Sequence, residues 1–504
     1  MFAKAEETQS PKFALEHHIS KRAGSRTLTH FSFNDAPEGL VRHPNPILLG
    51  PGCPHAGFFP IEFIDIHLVD EPFQGSYGTN YHSAAGGISP TTPGTANVAT
   101  VPRTKRDDTD IAISDGLQYS AIEGMGPILR FSRDLITRCH KPAYDEWDVL
   151  MTNGASSGLA KAADLLLNPG DTILVEEFTF TPFLANIKET GGVPIPVKLT
   201  VKNKGEGIDI AYLADLLGNW TAYYPDHPKP KVLYTIPTGQ NPLGITLSLE
   251  TRKAIYTLAQ QHDLTIIEDD PYGYISLPSY EKVLSNPEKL LEITIEEYLK
   301  TELAPSYLTL DTEGRVLRVE TFSKLFGPGL RLGFIVAHKR FSKVMAEYST
   351  ITTRSPSGPS QFLVNSVAQK LGGVDGWLQW ILKVRAAYAH RKKLFLDHLY
   401  SSPAFQKGYL TPIEPAAGMF ISVILNIPET YSRADYPKLT TKLGYKSITN
   451  GVAIVLGKNM AFSLISDEST NFVRLTFASV QNDEELVEAV RRFTLSVEQF
   501  GDEL

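Results

Sequence analysis

The chain has 504 residues, 42% hydrophobic and 21% charged, with a formal net charge of −8, which is more chain than one compact core needs, so two or more domains are expected. That balance lacks the basic excess of a general nucleic-acid binder, and two cysteines, Cys53 and Cys139, are too few for a disulfide framework. No apolar run approaches a membrane span, no leader pattern opens the chain, and Glu6, Glu7 and Glu16 speak against a mitochondrial presequence, so the cytoplasm is the expected compartment.

Residues 1–46 are polar, with a short helix expected before the basic pair Lys21-Arg22. Residues 75–104 are rich in Gly, Ser, Thr and Pro and read as a long loop. After Asp115, short apolar runs at 172–177, 231–237, 264–269 and 316–321 alternate with helical patterns. Near-continuous apolar strands separated by helices predict a parallel sheet covered on both faces. Ser248 is placed to cap a helix whose apolar stripe is Ile255, Leu258 and Ala259. Residues 279–312 read as a charged, helical insertion between two strands. Beyond about residue 345 the pattern is helix first, then strands near 413–425 and 472–479, which predicts a second, smaller domain. The expected division is an N-terminal arm at 1–114, a large domain at 115–345 and a small domain at 346–504.

Four short segments carry chemistry, each at the end of a predicted strand, where open α/β sheets gather their ligands. In Glu320-Thr-Phe-Ser-Lys324 the lysine follows a buried strand, and desolvation makes such an amine competent for Schiff-base chemistry. Arg331 sits seven residues on in a glycine-bracketed turn, suited to clamp a phosphate. Taken alone, this segment is equally consistent with a surface Lys and Arg flanking a turn. It is not a dinucleotide loop, because a strand-like run, Phe334-Ile-Val-Ala337, follows its last glycine. In Glu268-Asp269-Asp-Pro-Tyr272 an acid at a strand end and a phenol three residues later suit the ring nitrogen and ring hydroxyl of a pyridine cofactor, although acidic turns after strands are also common caps. Tyr234-Thr-Ile-Pro-Thr-Gly-Gln-Asn241-Pro offers an amide from a fixed turn. Gly154-Ala155-Ser156-Ser-Gly158 opens a helix through Leu167 with free N–H groups for a phosphate.

The joint occurrence of these segments in this order resembles the fold-type I aminotransferases dependent on pyridoxal phosphate, in particular the fungal aromatic and 2-aminoadipate aminotransferase group. The likeness runs from Leu48 to Phe493, and Leu310-Asp-Thr-Glu-Gly-Arg-Val316 is especially similar to the fungal group. It implies an α/β fold in which a mostly parallel seven-stranded sheet lies between helices, beside a smaller α+β domain. It further implies that Lys324 holds the cofactor as a Schiff base and moves the substrate proton. By the same resemblance, Asp269 pairs with the pyridinium nitrogen, and Tyr272 and Asn241 contact the ring oxygen. Phe180 lies on the ring face, unless it is plain core. Ala155, Ser156, Ser323 and Arg331 hold the phosphate, Arg474 binds the substrate carboxylate, and Gly52 approaches the substrate. Tyr119 reaches the cofactor across a homodimer interface.

Two departures stand out: Ala155 replaces a polar side chain, and Gly273 replaces a common aromatic, which would widen the pocket. The resemblance implies amino-acid and 2-oxo-acid substrates and ping-pong transamination of an aromatic or related large L-amino acid. 2-Aminoadipate and kynurenine are close alternatives, and no metal, nucleic acid or membrane is involved. A β-lyase on the same fold would share the cofactor residues. A DNA-binding regulator with an aminotransferase-like domain fits poorly, because the first hundred residues are broken by Pro and Gly and lack a helix pair with a basic face.

Overall fold

A computed structural model describes residues 13–28, 39–73 apart from 42, 46, 48 and 51, then 97–200, 207–285, 293–462 and 470–504. The strands in chain order are β1 Ile64–His67, β2 Val98–Val101, β3 Trp147–Thr152, β4 Thr172–Glu176, β5 Val193–Val197, β6 Leu199–Thr200, β7 Gly207–Ile208, β8 Val232–Thr235, β9 Thr265–Asp269, β10 Val316–Thr321, β11 Gly333–His338, β12 Leu410–Ile413, β13 Phe420–Leu425, β14 Val455–Leu456 and β15 Phe472–Thr476.

Seven of them form one sheet in the order β3-β11-β10-β9-β8-β4-β5. β11 pairs antiparallel with both of its neighbours, and the remaining pairs are parallel. The fold is therefore α/β with a mostly parallel central sheet. Strand side chains alternate between faces, and the core divides accordingly. Val232, Tyr234, Ile267, Leu317, Val319 and Ile335 face one cluster with the helix Gly154–Leu166. Leu233, Ile266, Val316, Phe334 and Val336 face the other. Both faces being covered explains why these runs lack an apolar–polar alternation in the sequence. A second sheet, antiparallel in the order β12-β13-β15-β14, lies beyond residue 400 with the helices Tyr436–Thr449 and Asp483–Gly501.

Ser248 caps the helix Leu249–Gln261 as expected, its side chain accepting from the Thr251 N–H, with Ile255 and Ala259 buried. The short helix expected before the basic pair is Leu15–His18, and Lys21 and Arg22 themselves open a second one-turn helix, Lys21–Gly24. Arg22 and Arg26 both bind Asp164, at 2.8 and 2.7 Å, which fastens this arm to the large sheet's helical cover. The long loop read at 75–104 needs correction, because it ends in a strand: β2 pairs with β1 in register Ile64↔Val101; its part from 75 to 96 lies outside the described residues. The insertion at 279–312 is helical in part, at Tyr280–Ser285 and Ile295–Glu297. Ser306 pins it to the sheet by donating to Glu268 at 2.5 Å.

The second face of the sheet buries charge. Arg318 contacts Glu268 at 3.0 Å, Asp270 at 2.8 Å and Glu320 at 2.7 Å, and Arg252 reaches Glu268 at 3.4 Å. Glu268 and Arg318 are register partners on β9 and β10, so parity puts the cluster on the face opposite Asp269.

Trp377, on the helix Gly373–Tyr400, is fully buried against Phe131, Phe322 and Phe326. Truncating it to alanine is expected to cost about 3–5 kcal/mol of stability, read as a lowered midpoint of denaturant unfolding. Phe322 and Phe326 flank Lys324, so the same substitution loosens the turn that carries the amine.

Candidate active site

The carboxyl ends of β8, β9 and β10 and the start of the helix after β3 open onto one cavity. It is lined by Ala155, Ser156, Phe180, Asn241, Asp269, Tyr272, Ser323, Lys324 and Arg331, nine of the residues singled out from sequence. Leu159, Ile236, Pro271, Thr321 and Pro328 complete the wall.

Lys324 ends a short turn, Phe322–Lys324, that leaves β10. Thr321 caps the turn by accepting the Ser323 N–H at 3.2 Å, the Phe322 N–H donates to the Leu332 carbonyl at 3.1 Å, and the Trp380 indole donates to the Leu325 carbonyl at 3.0 Å. Burial, with the nearby Arg331 and Arg474 cations, pulls the Lys324 amine below the usual lysine range. A larger fraction is then neutral near pH 7, as a nucleophilic amine requires.

Arg331 occupies the left-handed region at φ 49°, an uncommon conformation for a side-chain-bearing residue and typical of strained functional turns. Its guanidinium lies over Gly154 at the helix start, where a Cβ would stand 2.7 Å from Arg331 Nη2. Gly154 is itself at φ +76°, so both its conformation and this approach demand glycine. The free N–H groups of the helix Gly154–Leu166 and the Arg331 cation thus share one side of the cavity, an arrangement suited to a phosphate.

On the opposite side Asp269 ends β9. Its Oδ2 accepts from the Tyr234 hydroxyl at 2.8 Å, while its buried Oδ1 has no hydrogen-bond partner. Burial pushes the carboxyl up to about 7, Tyr234 draws it down, and neighbouring Asp270 adds to the rise. A buried carboxylate oxygen without a donor, in a cavity beside a lysine and an anion cradle, calls for a cationic or N–H donor.

Asn241 follows β8 and forms a cis peptide with Pro242. Glu176 at the end of β4 holds the segment before it, accepting from Thr235 Oγ1 at 2.6 Å, the Ile236 N–H at 3.2 Å and Gln240 Nε2 at 2.9 Å. Burial pushes Glu176 up to about 7 against those hydrogen bonds. Asn241 Oδ1 accepts from Arg474 Nη1 at 2.7 Å, so the Asn241 amide has its N–H₂ left to donate. Arg474 comes from β15 of the second sheet, and its guanidinium lies 4.2 Å above the Phe420 ring. Burial pulls it below the ordinary arginine value, and a desolvated guanidinium with donors beyond the one spent on Asn241 favours a carboxylate partner. Tyr272 is buried edge-on against Phe420, with ring centroids 5.8 Å apart.

Arg474 thus joins the cavity through Asn241. Gly52 and Tyr119 do not line it; Gly52 has no neighbour within 4 Å of a built Cβ, and Tyr119 is 73% exposed. Gly273 is not among the residues that line the cavity; it backs onto Asp270, where a Cβ would stand 2.6 Å from Oδ2, an atom of the buried charge cluster. The sequence reading gave no role to Tyr234, because a tyrosine inside an apolar strand looks like packing until its partner on the next strand is known.

The chain matches the family model "Aminotransferase class I and II" over residues 94–493. It is 37% identical to aromatic amino acid aminotransferase 2 of Saccharomyces cerevisiae over 98% of this chain and 97% of that one. Among solved structures, the aromatic aminotransferase Aro9 of C. albicans is 48% identical with a TM-score of 0.88, covering 97% of this chain and 98% of that one. Aminotransferase Aro8 of Candida albicans is 30% identical with a TM-score of 0.81, covering 97% of this chain and 100% of that one.

Proposed function

The chain belongs to the class I and II aminotransferases, and from that premise we propose that it transaminates an aromatic or related large L-amino acid with a 2-oxo acid by a ping-pong route. The cofactor of this family is pyridoxal phosphate, and the fold is fold-type I. The observation that carries the reading is the cavity itself, where a desolvated lysine amine, an anion cradle and an orphaned carboxylate oxygen meet.

The residues fit the cofactor. Arg331, Ser156, Ser323 and the backbone at Ala155 would hold its phosphate, Asp269 its ring nitrogen, and Tyr272 and the Asn241 amide its ring oxygen, with Phe180 on a ring face. Bound there, pyridoxal phosphate supplies an electron sink for the pair released at the substrate Cα. Asp269 Oδ1 keeps the proton on the ring nitrogen, without which that sink is weak. Arg474 grips the substrate carboxylate and so fixes which Cα bond faces Lys324. Lys324 Nζ would hold the cofactor and, as a free amine whose proton affinity burial lowers, would take up the proton that leaves the substrate Cα. Tyr272 and Asn241, both lining the cavity, would steady the ring through its oxygen. The second half-reaction with the 2-oxo acid reverses each proton movement.

Relatives named aromatic amino acid aminotransferases support the aromatic substrate over 2-aminoadipate or kynurenine. A homodimer belongs to the same reading. Gly52 and Tyr119 lie off the cavity, and Leu49 and Phe58, close to Gly52 in the chain, are exposed, Phe58 at 81%, which suits residues that serve a partner's site. The domain reading takes 115–345 as the cofactor domain, 346–504 as the small domain and 1–114 as the arm. Among the described residues no helix is long and apolar enough to cross a membrane. Cytoplasmic residence rests on the two free cysteines.

The test is the visible absorption spectrum of the purified protein before and after adding phenylalanine without an oxo acid. The expected result is a yellow protein whose band shifts to the pyridoxamine form as phenylpyruvate appears. A band that persists, or release of ammonia, would turn the reading toward a different substrate or a lyase.

A further inference from the structure

Tyr234 and Asp269 sit on adjacent strands with their side chains on one face of the sheet. The tyrosine is fully buried and its ring is held 4.4 Å from that of Phe183, so its hydroxyl is delivered to Asp269 Oδ2 by packing rather than by chance. Two carboxylate oxygens, one engaged from behind and the other unpartnered in the cavity, define an orientation. We propose that Tyr234 is the positioning residue for the cofactor's ring nitrogen: by fixing Oδ2 it turns Oδ1 of Asp269 into the pocket and holds the carboxylate in the charged form that the nitrogen needs. The inference rests on the reading of Asp269 given above.

The surroundings leave this task to Tyr234. On β10 the register partner of Asp269 is the apolar Val319, and the helix Gly154–Leu166 brings Leu159 to the cavity. Asp270 is adjacent in the chain, but its Oδ2 is 2.8 Å from Arg318 on the other face. Glu176 on β4 is a further acid, spent on the loop before Asn241. Lys324 and Tyr272 line the same cavity from the following turns. Among these influences Asp270 raises the Asp269 carboxyl and only the Tyr234 hydrogen bond draws it down. Without that bond Asp269 accepts a proton at higher pH, and a neutral acid cannot pair with a pyridinium.

The experiment measures pyridoxal phosphate affinity from pH 5 to 9 by titrating the resolved full-length enzyme, for wild type, Tyr234→Phe, Asp269→Asn and the double variant, with thermal melts of each. Tyr234→Phe is expected to bind about tenfold more weakly, with the acid-side loss of affinity moved to higher pH. In the Asp269→Asn background the same change should cost nothing further. The ¹⁵N resonance of ring-labelled cofactor should move toward the unprotonated position in Tyr234→Phe, a response that lost packing alone does not give. An equal loss in both backgrounds, or unchanged affinity and resonance, overturns the inference while leaving the aminotransferase reading intact. A wild-type protein that binds no cofactor sinks both.

Discussion

Lys324→Ala is expected to lower the turnover number at least about 10⁴-fold and to remove the visible band of the lysine-bound cofactor while cofactor remains associated. The magnitude follows from the two duties placed on one amine. In the proposed function it is the covalent anchor, and among the described residues it is the only lysine lining the cavity and so placed to carry a proton between two carbons. Neither duty passes to a neighbour. The Arg331 guanidinium offers donors and no acceptor for the proton, and burial holds the Tyr272 phenol above the usual tyrosine range. The phosphate cradle is built from Arg331 and a helix start, not from Lys324, so noncovalent association should persist. Single-turnover assays with phenylalanine, run beside a stoichiometric assay for bound cofactor, separate the two effects. Retention of a tenth of the wild-type rate would remove Lys324 from the proton transfer.

Most of what positions Lys324 was legible in the chain, for a physical reason. Strands buried on both faces leave continuous apolar runs, and their ends are where polar motifs begin, so Asp269, Asn241, Lys324 and Ser156 announce both the strand and the site. Ser248 announced its helix because a cap is a local interaction over three residues. The features that escaped are nonlocal. β2 is four residues long and exists by pairing with β1, more than thirty positions earlier, which composition rich in Gly, Ser and Pro masks. That β11 runs antiparallel to its neighbours depends on a short turn through Arg331, and an apolar run carries no sign of direction.

The buried cluster around Arg318 shows the same limit. Arg252, Glu268, Asp270, Arg318 and Glu320 are spread over three separate segments, and only the fold brings them together. Its consequence reaches the site, since Asp270 is tied to Arg318 on one face while Asp269 next to it turns to the other. Strand parity thus separates two adjacent acids into a structural ion pair and a carboxylate left for a ligand. Gly273 belongs to the first of these, although its neighbour Tyr272 lines the pocket.

Arg474→Ala is expected to lower kcat/KM for phenylalanine about 10²- to 10³-fold, the scale of truncating one partner of a desolvated charge pair. Much of the loss should appear in KM, because the carboxylate is held in the ground state as well as the transition state. Some should reach kcat, since a substrate held by its amine alone rotates its Cα proton away from Lys324. Arg474→Lys keeps a charge but loses the planar fork and should fall between the two. Arg474 does not line the cofactor cavity, so the visible band of the free enzyme should survive both changes. The contact from Arg474 Nη1 to Asn241 Oδ1 sets the boundary of that claim. If the arginine also fixes the amide that faces the ring oxygen, the band will shift in position without losing intensity. A protein that instead sheds its cofactor would make Arg474 a support of the cofactor site, and the substrate carboxylate would need another cation.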